Sequence, residues 1–216
     1  MRVDAVVIGA GVIGSSVALE LARGGRSVTV VDKGPGAGMG STSSSSSIIR
    51  YSYSTRDSIL TAWEAAHMWF EWEQHLGCAD PDGMARFIQC PNLIFQTTGY
   101  DGTAILPWWD EFGIEYELLD AAALRERFPL LDTGKYHPPK RIDDPAFADD
   151  PVGELTAIYN TRCGFMDDPA LSAKNLAHAA RLHGAEFRFR AEVVSIDRSA
   201  DGSAVAGVTL ASGDVI

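Results

Sequence analysis

The feature that most constrains this chain is its first 32 residues. A β-branched run over residues 3–8 is followed by Gly9, Gly11 and Gly14, then by apolar and small residues at helical spacing from Val12 to Arg23, stopped by Gly24 and Gly25. Residues 27–32 form a second apolar run that closes on Asp32. Strands apolar on both faces, joined by an amphipathic helix, predict a βαβ unit in a buried parallel sheet.

The glycines fall in the order G-x-G-x-x-G at the strand-to-helix junction. The first permits a tight turn, the second lets a ligand's pyrophosphate approach the backbone, and the third lets helix and strand pack closely. In a chain with 21 glycines the bare pattern is weak. Asp32 strengthens it, because a carboxylate ending the second strand is placed to accept hydrogen bonds from ribose hydroxyls. The pattern points to a dinucleotide and leaves NAD and FAD both open.

Composition narrows the partners. The net charge of -11 is spread along the chain without a Lys/Arg-rich block, which argues against nucleic acid or an anionic membrane and for a small-molecule substrate. Cys78, Cys90 and Cys163 are too few and too widely spaced for a disulfide framework or a zinc site, so reduced thiols and a cytoplasmic location are expected. The apolar run at the N-terminus is too short for a signal peptide or membrane span. His67, His75, His178 and His183 join no cluster with metal-ligand spacing, and Asp143, Asp144, Asp149 and Asp150 read as a solvated loop, so no metal site is expected.

Further along, residues 57–76 predict one helix, residues 87–97 a strand, and residues 103–112 and 121–128 short helices, the last ended by Pro129. Proline and aspartate dominate residues 135–153, an exposed insertion or lid. A helix over residues 168–183, closed by Gly184, feeds a strand at residues 186–190, and residues 192–216 alternate and turn as a β-meander. The fold class expected is α/β, with a Rossmann-like nucleotide-binding domain over residues 1–84 and 166–216 interleaved with an α+β substrate domain over residues 85–165. A further parallel strand is expected after Ile216, supplied by a C-terminal half or by another polypeptide in a hetero-oligomer.

The stretch GSTSSSSSIIRYSYS and the helix DSILTAWEAAHMWFEWEQHLG resemble the monomeric sarcosine oxidase and sarcosine oxidase β-subunit branch of the D-amino-acid oxidase-like flavoproteins. The resemblance continues through PNLIFQTTG, YELLDAAALRERFPLL and GFMDDPALSAKNLAHAARLHGAEF, and omits the insertion at residues 136–155. It implies FAD as cofactor and oxidation of the C-N bond of a small N-methylated or secondary amino acid. The implied cofactor contacts are Gly9, Gly11, Val12, Ile13, Gly14, Asp32, Lys33, Ser41, Thr42, Ser46, Ser47 and Val193. On composition alone, the serine run over residues 43–47 could equally be a flexible linker.

By the same resemblance Arg50 pairs with the substrate carboxylate, a task suited to a planar guanidinium that stays charged. A structural ion pair is the alternative for Arg50. The monomeric oxidases carry a threonine and an arginine where this chain has Ser46 and Ser47, so dehydrogenase behaviour stays open. Some relatives attach flavin through a histidine at the position of Met166-Asp167, and that attachment is expected to be absent here. Two other readings remain: an FAD enzyme acting on a hydroxy acid or polyol phosphate, and a non-catalytic nucleotide-binding chain that needs a partner.

Overall fold

A computed structural model describes residues 3–97, 99 and 101–216; Thr98, in the PNLIFQTTG stretch, lies outside the described residues. In chain order the elements are β1 (Ala5–Ile8), α1 (Val12–Arg23), β2 (Val28–Asp32), β3 (Ile48–Ile49), α2 (Arg56–Phe70), α3 (Trp72–Leu76), β4 (Phe87–Gln89) and β5 (Asn92–Gln96). They continue with α4 (Leu106–Phe112), β6 (Glu117–Leu119), α5 (Ala121–Arg127), β7 (Thr156–Asn160), β8 (Gly164–Met166), α6 (Pro169–Leu182), β9 (Glu186–Phe189), β10 (Val193–Arg198) and β11 (Val205–Leu210). The chain divides into two compact units, one of Met1–Ser47, Met68–Phe87 and Met166–Ile216, the other of Ile48–His67 and Ile88–Phe165.

In the first unit β1, β2 and β9 form a parallel sheet with β2 at its centre. Alternation along β2 sends side chains to opposite faces. Val28 and Val30 join a core with Ala18 and Leu19 of α1 and with Leu176, Ala177 and Ala180 of α6. Val31 packs on the other face with Val208 and Leu210 of the β10–β11 hairpin. Ile216 extends that hairpin by exchanging backbone hydrogen bonds with Val208, as a meander requires. The helix ends follow local chemistry: Asp168 caps α6 by accepting the Leu171 N–H at 2.8 Å, and Gly184 follows its last turn at φ 95°.

In the second unit β5, β7 and β6 form an antiparallel sheet with β7 at the centre. Leu119, Leu124 and Ala157 make its core with Leu93, Phe95 and Phe128. The proline-rich segment leaves and returns at one place, where Lys135 and Gly153, and Leu155 and Thr133, are joined by backbone hydrogen bonds.

Several expectations need correction. The helix over residues 57–76 is two helices, broken at Glu71, which adopts φ -114° and ψ 48°. The strand over residues 87–97 is likewise two, separated at Cys90-Pro91, where proline offers no N–H to continue a ladder. Strands β6, β7 and β8 were not expected. They are short, and the burial of β7 does not alternate cleanly, so period 2 is not visible in its sequence.

Candidate functional site

The turn between β1 and α1 is built by three glycines with different physical duties. Gly9 has φ 101°, a conformation side chains avoid. A Cβ on Gly14 would lie 1.9 Å from the Gly9 carbonyl oxygen, so only glycine lets α1 approach the turn this closely. A Cβ on Gly11 would lie 2.9 Å from Thr42 Oγ1. Gly11 is also the N-cap of α1 and has no side chain to cap it, which leaves the first-turn N–H groups of Ile13 and Gly14 directed out of the helix end. The third, that of Val12, donates to Thr42 Oγ1 at 3.1 Å.

Asp32 ends β2 beside this turn. Its Oδ2 accepts the Ala10 N–H at 2.7 Å and its Oδ1 accepts the Gly34 N–H at 2.6 Å. Each oxygen retains a further lone pair for an external hydroxyl. The loop from Gly34 to Gly40 is tied to the same place, since the Gly38 N–H donates to the Ala10 carbonyl at 2.9 Å. Gly38, at φ 77°, packs so tightly on α6 that a Cβ there would lie 2.8 Å from the Ala170 carbonyl oxygen.

Residues 41–44 form a 3₁₀ turn, not an open linker; the Ser43 N–H donates to the Gly38 carbonyl at 3.1 Å and the Ser43 hydroxyl to the Gly40 carbonyl at 2.8 Å. Ser41 and Ser46 are exposed. Ser47 takes the left-handed conformation, φ 50°, which is uncommon for a side-chain-bearing residue and is held by the Met166 N–H donating to its carbonyl.

The predicted contacts therefore divide. Gly9, Gly11, Val12, Gly14, Asp32 and Thr42 converge on the start of α1. Ile13 is 78% exposed at that helix end, and Lys33 is exposed next to Asp32. Val193 instead pairs with Leu210 and packs with Val31, although Ala191, two residues earlier, donates to the Asp32 carbonyl. Ala10, Gly34 and Gly38 were missed; the signal available was the glycine spacing of Gly34, Gly36, Gly38 and Gly40 after the acid.

Arg50 lies in the second unit, directly after β3. Among the described residues it pairs with no carboxylate. Its Nη1 donates to the Ser52 carbonyl and hydroxyl, and its guanidinium lies 4.9 Å over the Tyr53 ring. The adjoining Tyr51 is fully buried; its hydroxyl donates to the Arg162 carbonyl at 2.7 Å and its own carbonyl accepts the Trp109 Nε1–H at 3.1 Å. Burial pushes the neighbouring Cys163 thiol up to about 12, against a small opposing effect of the Tyr51 N–H, and burial likewise raises the Tyr51 phenol. Among the described residues no group of three or more His, Cys, Asp or Glu could hold a metal ion, and no helix is long and apolar enough to cross a membrane.

Residues 4–216 match the FAD dependent oxidoreductase family. The chain belongs to this family. A search of curated proteins finds no match. Among solved structures, the chain is similar to glycine oxidase from Bacillus cereus, with 21% identity and a TM-score of 0.69 over 100% of this chain and 54% of that one. It is also similar to L-proline dehydrogenase from P. horikoshii, with 24% identity and a TM-score of 0.71 over 98% and 49% of the two chains. A third similarity is to L-amino acid deaminase from Proteus vulgaris, with 18% identity and a TM-score of 0.70 over 100% and 51%. These likenesses establish the mixed α/β fold of the N-terminal part of FAD-dependent oxidoreductases, and the chain spans about half the length of those solved structures.

FAD is the cofactor expected of the family, and the turn fits it. The Gly9–Gly14 cradle admits no side chain at Gly14, and the outward N–H groups of the helix end suit a pyrophosphate. The carboxylate of Asp32 is held beside this turn by the Ala10 and Gly34 N–H groups.

Proposed function

We propose that this chain binds the adenosine diphosphate half of FAD at the start of α1 and belongs to an enzyme that oxidises the C-N bond of a small amino acid, N-methylated or secondary, in the manner of sarcosine oxidases. The observation that carries the cofactor half of the reading is the convergence of Gly14, Asp32 and Thr42 on one helix end. The N–H groups of Ile13 and Gly14 would hold the pyrophosphate, Asp32 the ribose hydroxyls, and the serine turn from Ser41 to Ser47, with Ile13, Lys33 and Val193, the remainder of the cofactor. Once bound, FAD supplies the two-electron acceptor.

Arg50 would bind the carboxylate of the amino acid and so fix the orientation of its α-carbon. Its lack of a carboxylate partner among the described residues supports this, since the guanidinium remains open to an external one. The similar structures, an oxidase, a dehydrogenase and a deaminase of amino acids, support the substrate class.

Anaerobic addition of sarcosine, dimethylglycine, proline and glycerol phosphate to the purified holoprotein, followed in the visible spectrum, tests the substrate class. Bleaching by one or more of the amines is expected. Bleaching by glycerol phosphate alone would replace the amino acid with a polyol phosphate.

A further inference from the structure

The loop that carries Arg50 fixes the guanidinium in one orientation. Nη1 donates to Ser52 twice, at 2.5 Å to its carbonyl and 2.7 Å to its hydroxyl. Tyr53 covers one face of the guanidinium at 4.9 Å from the ring centroid. Tyr51, between them, is anchored through Arg162 and Trp109, so the loop has a rigid base. Nε and Nη2 have no acceptor among the described residues, which leaves one edge of the guanidinium with two parallel N–H groups.

We propose that Ser52 and Tyr53 are positioning residues that preset this Nε–Nη2 edge for side-on, bidentate binding of the substrate carboxylate. An unrestrained arginine loses rotamer freedom when it captures a carboxylate, and a guanidinium already held by Ser52 and Tyr53 has lost that freedom beforehand. Engaging Nη1 also removes the alternative end-on docking through both terminal nitrogens, so the carboxylate has one orientation available. This inference rests on the reading of Arg50 as the carboxylate partner.

Methoxyacetate, with an ether oxygen in place of an amine, keeps the carboxylate and has no C-N bond to oxidise; methoxyacetamide lacks the charge. Titration calorimetry of both ligands on the purified holoprotein separates the roles. Arg50→Met is expected to weaken methoxyacetate by roughly 30-fold, the loss of charge-assisted hydrogen bonds. Ser52→Ala is expected to weaken it about 3- to 10-fold. Tyr53→Leu should weaken it about 2- to 5-fold, and Tyr53→Phe, which keeps the ring, should stay within about 2-fold of wild type. Methoxyacetamide should bind all five proteins alike. Wild-type affinity for methoxyacetate in Ser52→Ala and Tyr53→Leu, with Arg50→Met weakened, would overturn the positioning roles alone. Equal weakening of both ligands in those two variants would overturn them too, since the effect would not depend on the carboxylate. Unchanged binding in Arg50→Met would overturn the reading of Arg50 itself.

Discussion

Oδ2 of Asp32 accepts the backbone N–H of Ala10 at 2.7 Å, joining the end of β2 to the middle of the glycine turn. The residue that the sequence suggests as a ligand contact is therefore also a structural tie, with its second oxygen holding the Gly34 N–H at 2.6 Å. Asp32→Ala leaves two backbone donors without their partner. It should lower the unfolding free energy by about 1–3 kcal/mol in protein stripped of cofactor, measured by urea denaturation. Stripped protein as stable as wild type would show that the carboxylate serves only the ligand.

Gly11 and Thr42 form a pair whose coupling can be measured. A Cβ at Gly11 meets a side-chain oxygen that can move or be removed, whereas a Cβ at Gly14 meets backbone. Gly14→Ala should cost about 3 kcal/mol or more, at the severe end of overpacking, and abolish cofactor retention. Gly11→Ala should cost less, and less again in a Thr42→Ala background, where the clashing Oγ1 is gone. A double-mutant cycle giving additive losses would contradict the contact.

Much of this arrangement can be read from the sequence, and the parts that cannot share a cause. The bounds of α1 follow from glycines on both sides of a helical repeat, and those of α6 from Asp168 and Gly184. The break at Glu71 is hidden because the buried Trp72 and Leu76 continue the apolar pattern of α2. The pairing of β5 with β7 joins residues that are far apart in sequence, and the burial of β7 does not alternate cleanly, so no local signal announces it. At the site, Gly9, Gly14 and Asp32 are recognisable by spacing, while Ala10 and Ser52 act through a backbone N–H or a local fold of the loop that spacing does not encode. Thr42 is marked only by family resemblance, and its bond to the Val12 N–H comes from the fold of the serine turn.

Thr29 sits at the centre of the parallel sheet, wholly buried, and its Oγ1 has no hydrogen-bond partner among the described residues. A buried hydroxyl without a partner loses its hydration for no return. Thr29→Val keeps the shape and should raise stability by about 1 kcal/mol in thermal unfolding, with cofactor content unchanged. A destabilised variant would mean that the hydroxyl is satisfied in solution.

The thiol of Cys163 is raised by burial from 9.0 to about 12. Because the folded state disfavours the thiolate, the contribution is constant below pH 9, where both states are protonated. Stability then falls as the unfolded thiol ionises, by about 1.4 kcal/mol per pH unit up to the folded value. Cys163→Ser removes this ionisation and should flatten the urea-midpoint profile between pH 9 and 11. An identical slope in the variant would assign alkaline destabilisation to other groups. At neutral pH the same burial predicts that a thiol reagent labels the exposed Cys90 well before Cys163 in native protein.

If the turn from Gly9 to Gly14, closed by Asp32 and Thr42, holds FAD, nucleotide released from the purified protein by denaturation and identified by chromatography and mass should be FAD near one equivalent in the wild type and none in Gly14→Ala. Recovery of NAD from the wild type, or of equal FAD from both proteins, would contradict FAD binding at this turn.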